Sequence, residues 1–308
     1  MKRNLNFLLL PLIGAVLAPI SIMAQTSFEK QFSGIERMEI QGGALEVSYE
    51  GSDTENITLT AYLGPEEDSN QDLVFVTLGN TLKVAYQPQD KRQRDFGGDQ
   101  KRYVSIKGPV DMELQIKNSS GSVKVERINS KETHLTVSSG SVQASRIEGD
   151  LYLKGSSGSF DIKEITGSVT SSLSSGSMNI DQVNGGLSFS SSSGSLKASR
   201  VSGMLNAQLT SGSAKLSEIG ELGKLSVSSG SINATDAGLG NSTAFKGSSG
   251  SFSVTTPSDL KAFNYNLIAS SGSLRVGDAT KAKRLEINNG AESTVTGDIS
   301  SGSIKIDN

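Results

Sequence analysis

Cysteine is absent from this 308-residue chain. Its absence excludes disulfides, thiol catalysis, thiolate-bound metals and lipid attachment through an N-terminal cysteine. The fold must therefore be stabilised by packing alone.

Histidine is almost as scarce, because His134 is the only one. With no cysteine and no acidic cluster beside it, we expect His134 to be a surface or turn residue and not a metal ligand. The many serines also lack a recurring histidine that could activate them as nucleophiles. The sequence therefore predicts no catalytic residue, no metal site and no cofactor.

A strong charge of either sign is also missing, since the formal net charge is −3. No basic stripe with interleaved aromatic residues is present, so nucleic acid is not an expected partner. One basic cluster, Lys91 to Arg102, is interrupted by Asp95 and Asp99. We interpret it as a solvated loop, with contact to an anionic glycan or a lipid headgroup as the alternative.

The N-terminal segment, residues 1–24, has the pattern of an export signal. Lys2 and Arg3 precede a short apolar run, which contains Pro11 and Pro19 and ends at the small residue Ala24. The run is too short and too interrupted for a retained membrane helix, which needs about 20 apolar residues. We expect cleavage after Ala24, no transmembrane segment in the mature chain, and a location in the periplasm, in the medium or on the cell surface.

The tripeptide SGS occurs ten times, most often at one fixed interval, such as that from Gly158 to Gly176. Its glycines are Gly121, Gly140, Gly158, Gly176, Gly194, Gly212, Gly230, Gly250, Gly272 and Gly302. Asn289-Gly290-Ala291, one such interval after Gly272, reads as a degenerate copy. Flexible linkers are also rich in glycine and serine, but they do not keep a register over such a length.

Around each recurrent glycine the side chains alternate between apolar and polar. Residues two and four positions after the glycine are apolar, as in Met178 and Ile180, and the residue between them is polar, as in Asn179. This period of two predicts a strand with one buried face. At SSGS the inward-facing positions shift from odd to even or the reverse, so we interpret the ten glycines as corner residues. The alternative interpretation of the SSGS motif is a face of stacked serines that binds sugar or ice.

Equivalent residues recur at equivalent positions when they lie above one another. The sequence therefore predicts an all-β, single-stranded parallel β-helix with about 18 residues per coil, right-handed, over residues 111–308. Residues 25–110 lack the register, and we expect them to start and cap the stack. The last residues, SGSIKIDN, read as a final strand whose open edge could mediate self-association.

Two stretches, FSGIERMEIQGGALEVSYE and GPVDMELQIKNSSGSVKVERI, precede the SSGS repeats. Together with those repeats, the chain resembles the secreted bacterial proteins known as β-strand-repeat, putative auto-transporter adhesin or head GIN domain proteins. The resemblance implies a parallel β-helix in the envelope of a Gram-negative cell. It brings no catalytic residue with it.

The residues six positions after each recurrent glycine, which we expect to point outward, include both acidic and basic side chains. Such a mixture is typical of a solvated face. Asp161, Glu164 and Asp181 lie on adjacent coils and could approach one another, but we expect them to form pairs across coils. We therefore predict a non-enzymatic envelope protein that binds a glycan or another envelope protein, or acts as a scaffold. The alternatives are a glycan-active lyase or hydrolase on the same scaffold and a sensor of envelope stress.

Overall fold

The computed structural model describes residues 27–64, 73–87 and 102–308. The predicted export signal and the residues 91–101 of the basic cluster lie outside the described residues.

The described residues form strands almost throughout, which confirms the prediction of an all-β chain. They contain no α-helix and one short 3₁₀ turn, Leu260–Ala262. The strands are β1 Ser27–Phe32, β2 Arg37–Gly43, β3 Glu46–Ser52, β4 Ile57–Tyr62, β5 Leu73–Leu78, β6 Thr81–Tyr86, β7 Tyr103–Pro109, β8 Glu113–Ser120, β9 Val123–Ile165, β10 Val169–Val183, β11 Leu187–Thr255, β12 Asn264–Val276, β13 Ala279–Lys281, β14 Arg284–Ile287 and β15 Thr294–Asp307.

Parallel ladders join segments of the chain that are one repeat interval apart. Val169 in β10 pairs with Leu151 in β9 on one side and with Leu187 in β11 on the other. Gly176 pairs with Gly194 in the same ladder. We call one such segment, which pairs in parallel with the segments beside it in the stack, a rung.

The apolar columns meet inside the rungs and form one continuous hydrophobic core from Ile35 to Ile306. Met178 and Ile180, for example, are 1% and 0% exposed. Burial of each such side chain contributes about 1.5–3 kcal/mol. A single rung has no second layer to cover its apolar face, so its stability depends on its neighbours.

At the N-terminal end, the order of the rungs departs from the order of the chain. Strand β2 pairs in parallel with β6 on one side and with β8 on the other. Strand β3 likewise lies between β7 and β9. The rung formed by β6 and β7 is therefore outermost, and the earlier strands β2 and β3 lie one place inside it.

Antiparallel strands close this end of the stack. Strand β4 pairs with β7, and β1 pairs with β4. On the other side of the rung, β5 pairs with β6. Phe28 and Phe32 contact Phe75 across the end, with ring centroids 6.4 and 5.6 Å apart.

At the C-terminal end, β15 lies between β11 and β12. Gly302 pairs with Gly250 on one side and with Gly272 on the other. The prediction that the C-terminal strand is an open edge is therefore wrong, because both of its edges are hydrogen-bonded. Self-association itself stays a prediction.

The outermost rung at this end is β12, which is covered by the short antiparallel strands β13 and β14. The predicted degenerate copy at Asn289-Gly290-Ala291 is also wrong. These residues lie in the loop between β14 and β15, where a side chain on Gly290 would meet nothing within 4 Å.

Each end of the stack contains a buried tyrosine that donates a hydrogen bond to a backbone carbonyl. Tyr49 in β3 donates to Pro109 at 2.7 Å, and Tyr265 in β12 donates to Leu260 at 3.1 Å. Burial, with a smaller contribution from Asp259, raises the pKa of Tyr265 to about 12. Burial raises the pKa of Tyr49 as well. Both hydroxyls therefore stay protonated and act as donors at neutral pH.

Candidate functional site: a groove on one face of the rungs

The rungs present two polar outer faces. We call one of them the groove face; it carries the side chains six and four residues before each recurrent glycine, such as Thr170 and Ser172. We call the other the SSGS face; it carries the side chains one and three residues after the glycine, such as Ser177 and Asn179. All four of these side chains are exposed, and on each face the next rung places its equivalent side chain beside them.

A groove of about 520 Å³ crosses five successive rungs on the groove face. Outward side chains line it in register: Thr170, Ser172, Ser188, Ser190, Asn206, Gln208, Lys224, Ser226, Ala244 and Lys246. The serines of the first two rungs are short, whereas the lysines of the last two are long. The hydroxyl and amide groups can both donate and accept hydrogen bonds, so the groove suits a ligand with many hydroxyl groups.

Two aromatic rings stand at the end of the groove that Thr170 forms. Tyr152 pairs in register with Thr170. Its ring stacks on the ring of His134 in the preceding rung, with the centroids 4.7 Å apart and the planes 8° apart. His134 Nε2 also lies 3.1 Å from a carboxylate oxygen of Glu132. The sole histidine is thus part of a half-buried aromatic pair at the surface, in agreement with the surface position that the sequence predicts.

Positive charge accompanies the groove. Lys224 and Lys246 line it, and Lys154 lies beside Ser172 in the ladder. None of the three ammonium groups forms an ion pair with a described residue. No carboxylate lines the groove itself, and Asp298, the register partner of Lys246, lies beyond its lining.

A second groove, of about 510 Å³, lies on the SSGS face. It contains Asp161, whose carboxylate lies 3.0 Å from Lys163 Nζ and accepts a hydrogen bond from Asn179 at 3.1 Å. Its lining therefore includes an acidic group that is already paired, unlike the lining of the first groove.

The three carboxylates singled out in the sequence do not form a joint site. Asp181 accepts hydrogen bonds from Ser199 and Arg200, at 2.7 and 2.5 Å, and its register partner is Lys163. Glu164 lies at a corner of the rung. No group of three or more potential metal ligands occurs in the part of the chain that the structure describes.

The recurrent glycines of neighbouring rungs lie against one another and form a column along the stack. A Cβ on Gly212 would lie 1.9 Å from the carbonyl oxygen of Gly194, and one on Gly302 would lie 1.9 Å from that of Gly250. Gly212 also has a φ of +135°, which favours glycine. Any side chain at Gly212 would therefore displace the backbone of the neighbouring rung.

A second corner column consists of residues other than glycine in the left-handed conformation. The residue six positions after the glycine has a φ between 53° and 62° in seven successive rungs: Arg127, Arg146, Glu164, Gln182, Arg200, Glu218 and Asp236. The mixed charges of this column predict a solvated face but not its backbone conformation. The sequence does carry one signal of it: the alternation of apolar and polar residues breaks between the fourth and the seventh residue after the glycine, which are both buried.

The exposed large apolar side chains of the described residues all lie on the groove face. Val74, Val76 and Leu78 in β5 are 38%, 43% and 61% exposed, and Ile268 in β12 is 38% exposed. Ladder pairing connects Val76 through Lys83 to Glu39, and Ile268 through Asp298 to Lys246. The SSGS face exposes none in the described ranges. The two faces therefore differ in chemistry as well as in shape.

Among the described residues, no helix is long and apolar enough to span a membrane.

These features define a class: an all-β repeat protein whose parallel rungs expose two polar faces. The chain belongs to the Toastrack DUF4097 family, whose model matches residues 35–307. No curated protein has a significant sequence match to it.

Three solved structures are similar to the chain at a distance. A "putative adhesin" from Bacteroides fragilis is 12% identical, with 92% of this chain and 98% of that chain covered and a TM-score of 0.33. A "putative lipid binding protein" from Parabacteroides distasonis is 16% identical, with coverages of 76% and 98% and a TM-score of 0.34. A "putative cell adhesion protein" from Clostridium sporogenes is 8% identical, with coverages of 92% and 98% and a TM-score of 0.26.

Proposed function

We propose that this protein is a non-enzymatic, adhesin-like binding protein of the cell envelope, which holds an extended polymer along its groove face. The observation that carries the proposal is the groove across five rungs, in which outward hydroxyl, amide and ammonium groups border an apolar floor that includes Phe189, Ala207 and Leu225. Rungs follow one another at about 4.8 Å, so a ligand that lies along them meets the same kinds of group at regular steps. A periodic surface of this kind suits a periodic ligand.

The architecture that we propose for this function is a right-handed, single-stranded parallel β-helix whose coil length equals the repeat interval of the sequence. The register between β9, β10 and β11 supports the coil length, and the general preference of parallel connections supports the handedness. Such a scaffold keeps the groove face rigid without a bound cofactor.

We further propose that residues 1–24 direct export and that the mature chain acts in the periplasm or at the cell surface, as the resemblance to head GIN domain proteins implies. The absence of cysteine suits a protein whose stability must not depend on the redox state of its surroundings.

The experiment is to incubate the chain from residue 25 with a panel of purified envelope polysaccharides and to measure both retention and release of reducing sugar. We expect retention without release. Release of reducing sugar would show an enzyme, and the absence of retention on every polysaccharide would refute the proposal.

A matched pair of variants locates the binding face. Ser172→Gln with Ser188→Gln fills the groove, whereas Ser177→Gln with Ser195→Gln makes the same change on the SSGS face of the same two rungs. We expect only the groove pair to weaken retention. If only the SSGS pair weakens it, the assignment to the groove face is wrong.

A further inference from the structure

We propose that the groove binds a linear acidic polysaccharide, with one sugar ring stacked on Tyr152 and the acidic groups held by Lys154, Lys224 and Lys246. This inference rests on the proposed function and names the class of its ligand.

We infer the aromatic contact from the residues that occupy the position of Tyr152 in the two neighbouring rungs. His134 covers one face of the ring at a centroid distance of 4.7 Å. On the other side, the next residue in the column is Thr170, whose side chain is too small to cover the second face. That face borders the groove. The apolar face of a pyranose ring can pack there, while its hydroxyl groups reach the serines beyond.

The preference for an acidic polymer comes from the three lysines. Lys154 lies in the same rung as Tyr152, whereas Lys224 and Lys246 lie four and five rungs further along the groove, on the order of 20 Å away. This span matches several sugar units and not a single small anion. Because these ammonium groups form no ion pair with a described residue and the groove has no carboxylate in its lining, they attract negative charge that the groove does not supply.

The SSGS face does not offer the same combination. Its groove contains two lysines, Lys197 and Lys215, but it also contains Asp161. A further groove on this face is lined by Tyr103 and Lys124, but it also contains the carboxylate of Glu46. The two faces thus provide an internal control for the contribution of lysine alone.

The test uses a hexamer of galacturonic acid and the neutral hexasaccharide maltohexaose, each titrated into the chain from residue 25 by calorimetry. We expect the acidic hexamer to bind at least tenfold more tightly, and its affinity to fall as salt is raised, because exposed charges are screened. Lys224→Gln with Lys246→Gln should weaken binding of the acidic hexamer about tenfold or more, since each substitution removes a charge-assisted hydrogen bond.

The control variant, Lys197→Gln with Lys215→Gln, makes the same change in charge on the SSGS face and should leave the affinity unchanged. Tyr152→Leu should weaken binding in low and high salt alike, because stacking is not screened. Circular dichroism of each variant checks that the strands are retained.

Several outcomes would overturn the inference. Equal loss in the two lysine pairs, or equal binding of a single-stranded DNA of the same charge, would show non-specific ion exchange. Equal affinity for the neutral hexasaccharide, lost in the groove-filling serine pair, would refute the acidic ligand but leave the proposed function intact. If no glycan binds at all, both proposals fail.

Discussion

The middle of the stack and its two ends are built from the same kind of rung, but they are connected differently. From β8 to the end of β11, each rung pairs with the rung that follows it in the chain. At the N-terminal end the strands β2 and β3 lie inside a rung made by later residues, and at the C-terminal end β15 lies inside a rung made by earlier ones. At the N-terminal end the first rung of the chain, and at the C-terminal end the last rung, therefore lies one position inside the outermost rung.

The difference shows how the parallel rungs of a stack can end on an internal segment of the chain. A strand that is hydrogen-bonded on one side only opens more easily than one bonded on both sides, and at the N-terminal end the antiparallel strand β1, beyond β4, takes that outer position. Here the outermost rungs are internal segments, tethered at both of their ends. The edges beyond them carry charged residues in β1 and β14, whereas β5 exposes Val74, Val76 and Leu78.

The largest test of this comparison removes β15 by ending the chain at residue 293. The truncation deletes four buried side chains, Val295, Ile299, Ile304 and Ile306, so we expect the free energy of unfolding to fall by roughly 6–12 kcal/mol. Hydrogen exchange should show loss of protection in β12, whose parallel partner is gone, while the middle rungs stay protected. A chain that lacks only Asn308 is the control. Full protection of β12 in the truncated chain would contradict the inserted position of β15.

An intermediate effect is expected for a side chain added to the glycine column of the middle rungs. Gly212→Ala combines the unfavourable φ of +135° with a Cβ that lies 1.9 Å from a backbone oxygen, and we expect a loss of about 2–5 kcal/mol. Gly79→Ala is the control, because Gly79 also has a positive φ, +60°, but open space around its Cβ. It should cost only about 1 kcal/mol. Equal losses in urea denaturation would mean that the column is not closely stacked.

The smallest effect concerns the left-handed corner column. Gln182→Gly should stabilise the protein by up to about 1 kcal/mol, because glycine adopts its φ of 62° without strain. Gln143→Gly changes an exposed residue of a regular strand in the same way and should destabilise by about 0.5–1 kcal/mol. The opposite signs can be read from midpoints of thermal or urea unfolding. If both variants were destabilised equally, the left-handed conformation of Gln182 would not be strained.

The buried columns could be predicted from the sequence because every rung repeats the same environment. Met178, Leu196 and their equivalents face the same core from the same position, so one rung predicts the next. The order of the rungs at the two ends could not be predicted in this way. The segments around Gly250, Gly302 and Gly272 present the same pairing pattern, and the motif alone does not say which of them are neighbours.

The corner column and the groove escaped prediction for a related reason. Arg146, Glu164 and Gln182 share a conformation but no side-chain chemistry, so their column has no residue signature. The groove depends on small differences among outward residues, such as Ser188 against Lys224, which alternation alone treats as equivalent. The pairing of Tyr152 with His134 needed the register, which places residues of neighbouring rungs side by side.

The inserted position of β15 has a consequence for how the molecule is completed during synthesis. A ribosome delivers the chain from its N-terminus, so the segment 264–276 emerges before the strand that separates it from residues 244–255. It has no permanent place until the segment 294–308 arrives. Folding of this end therefore requires the insertion of residues 294–308 between two segments that precede them in the chain.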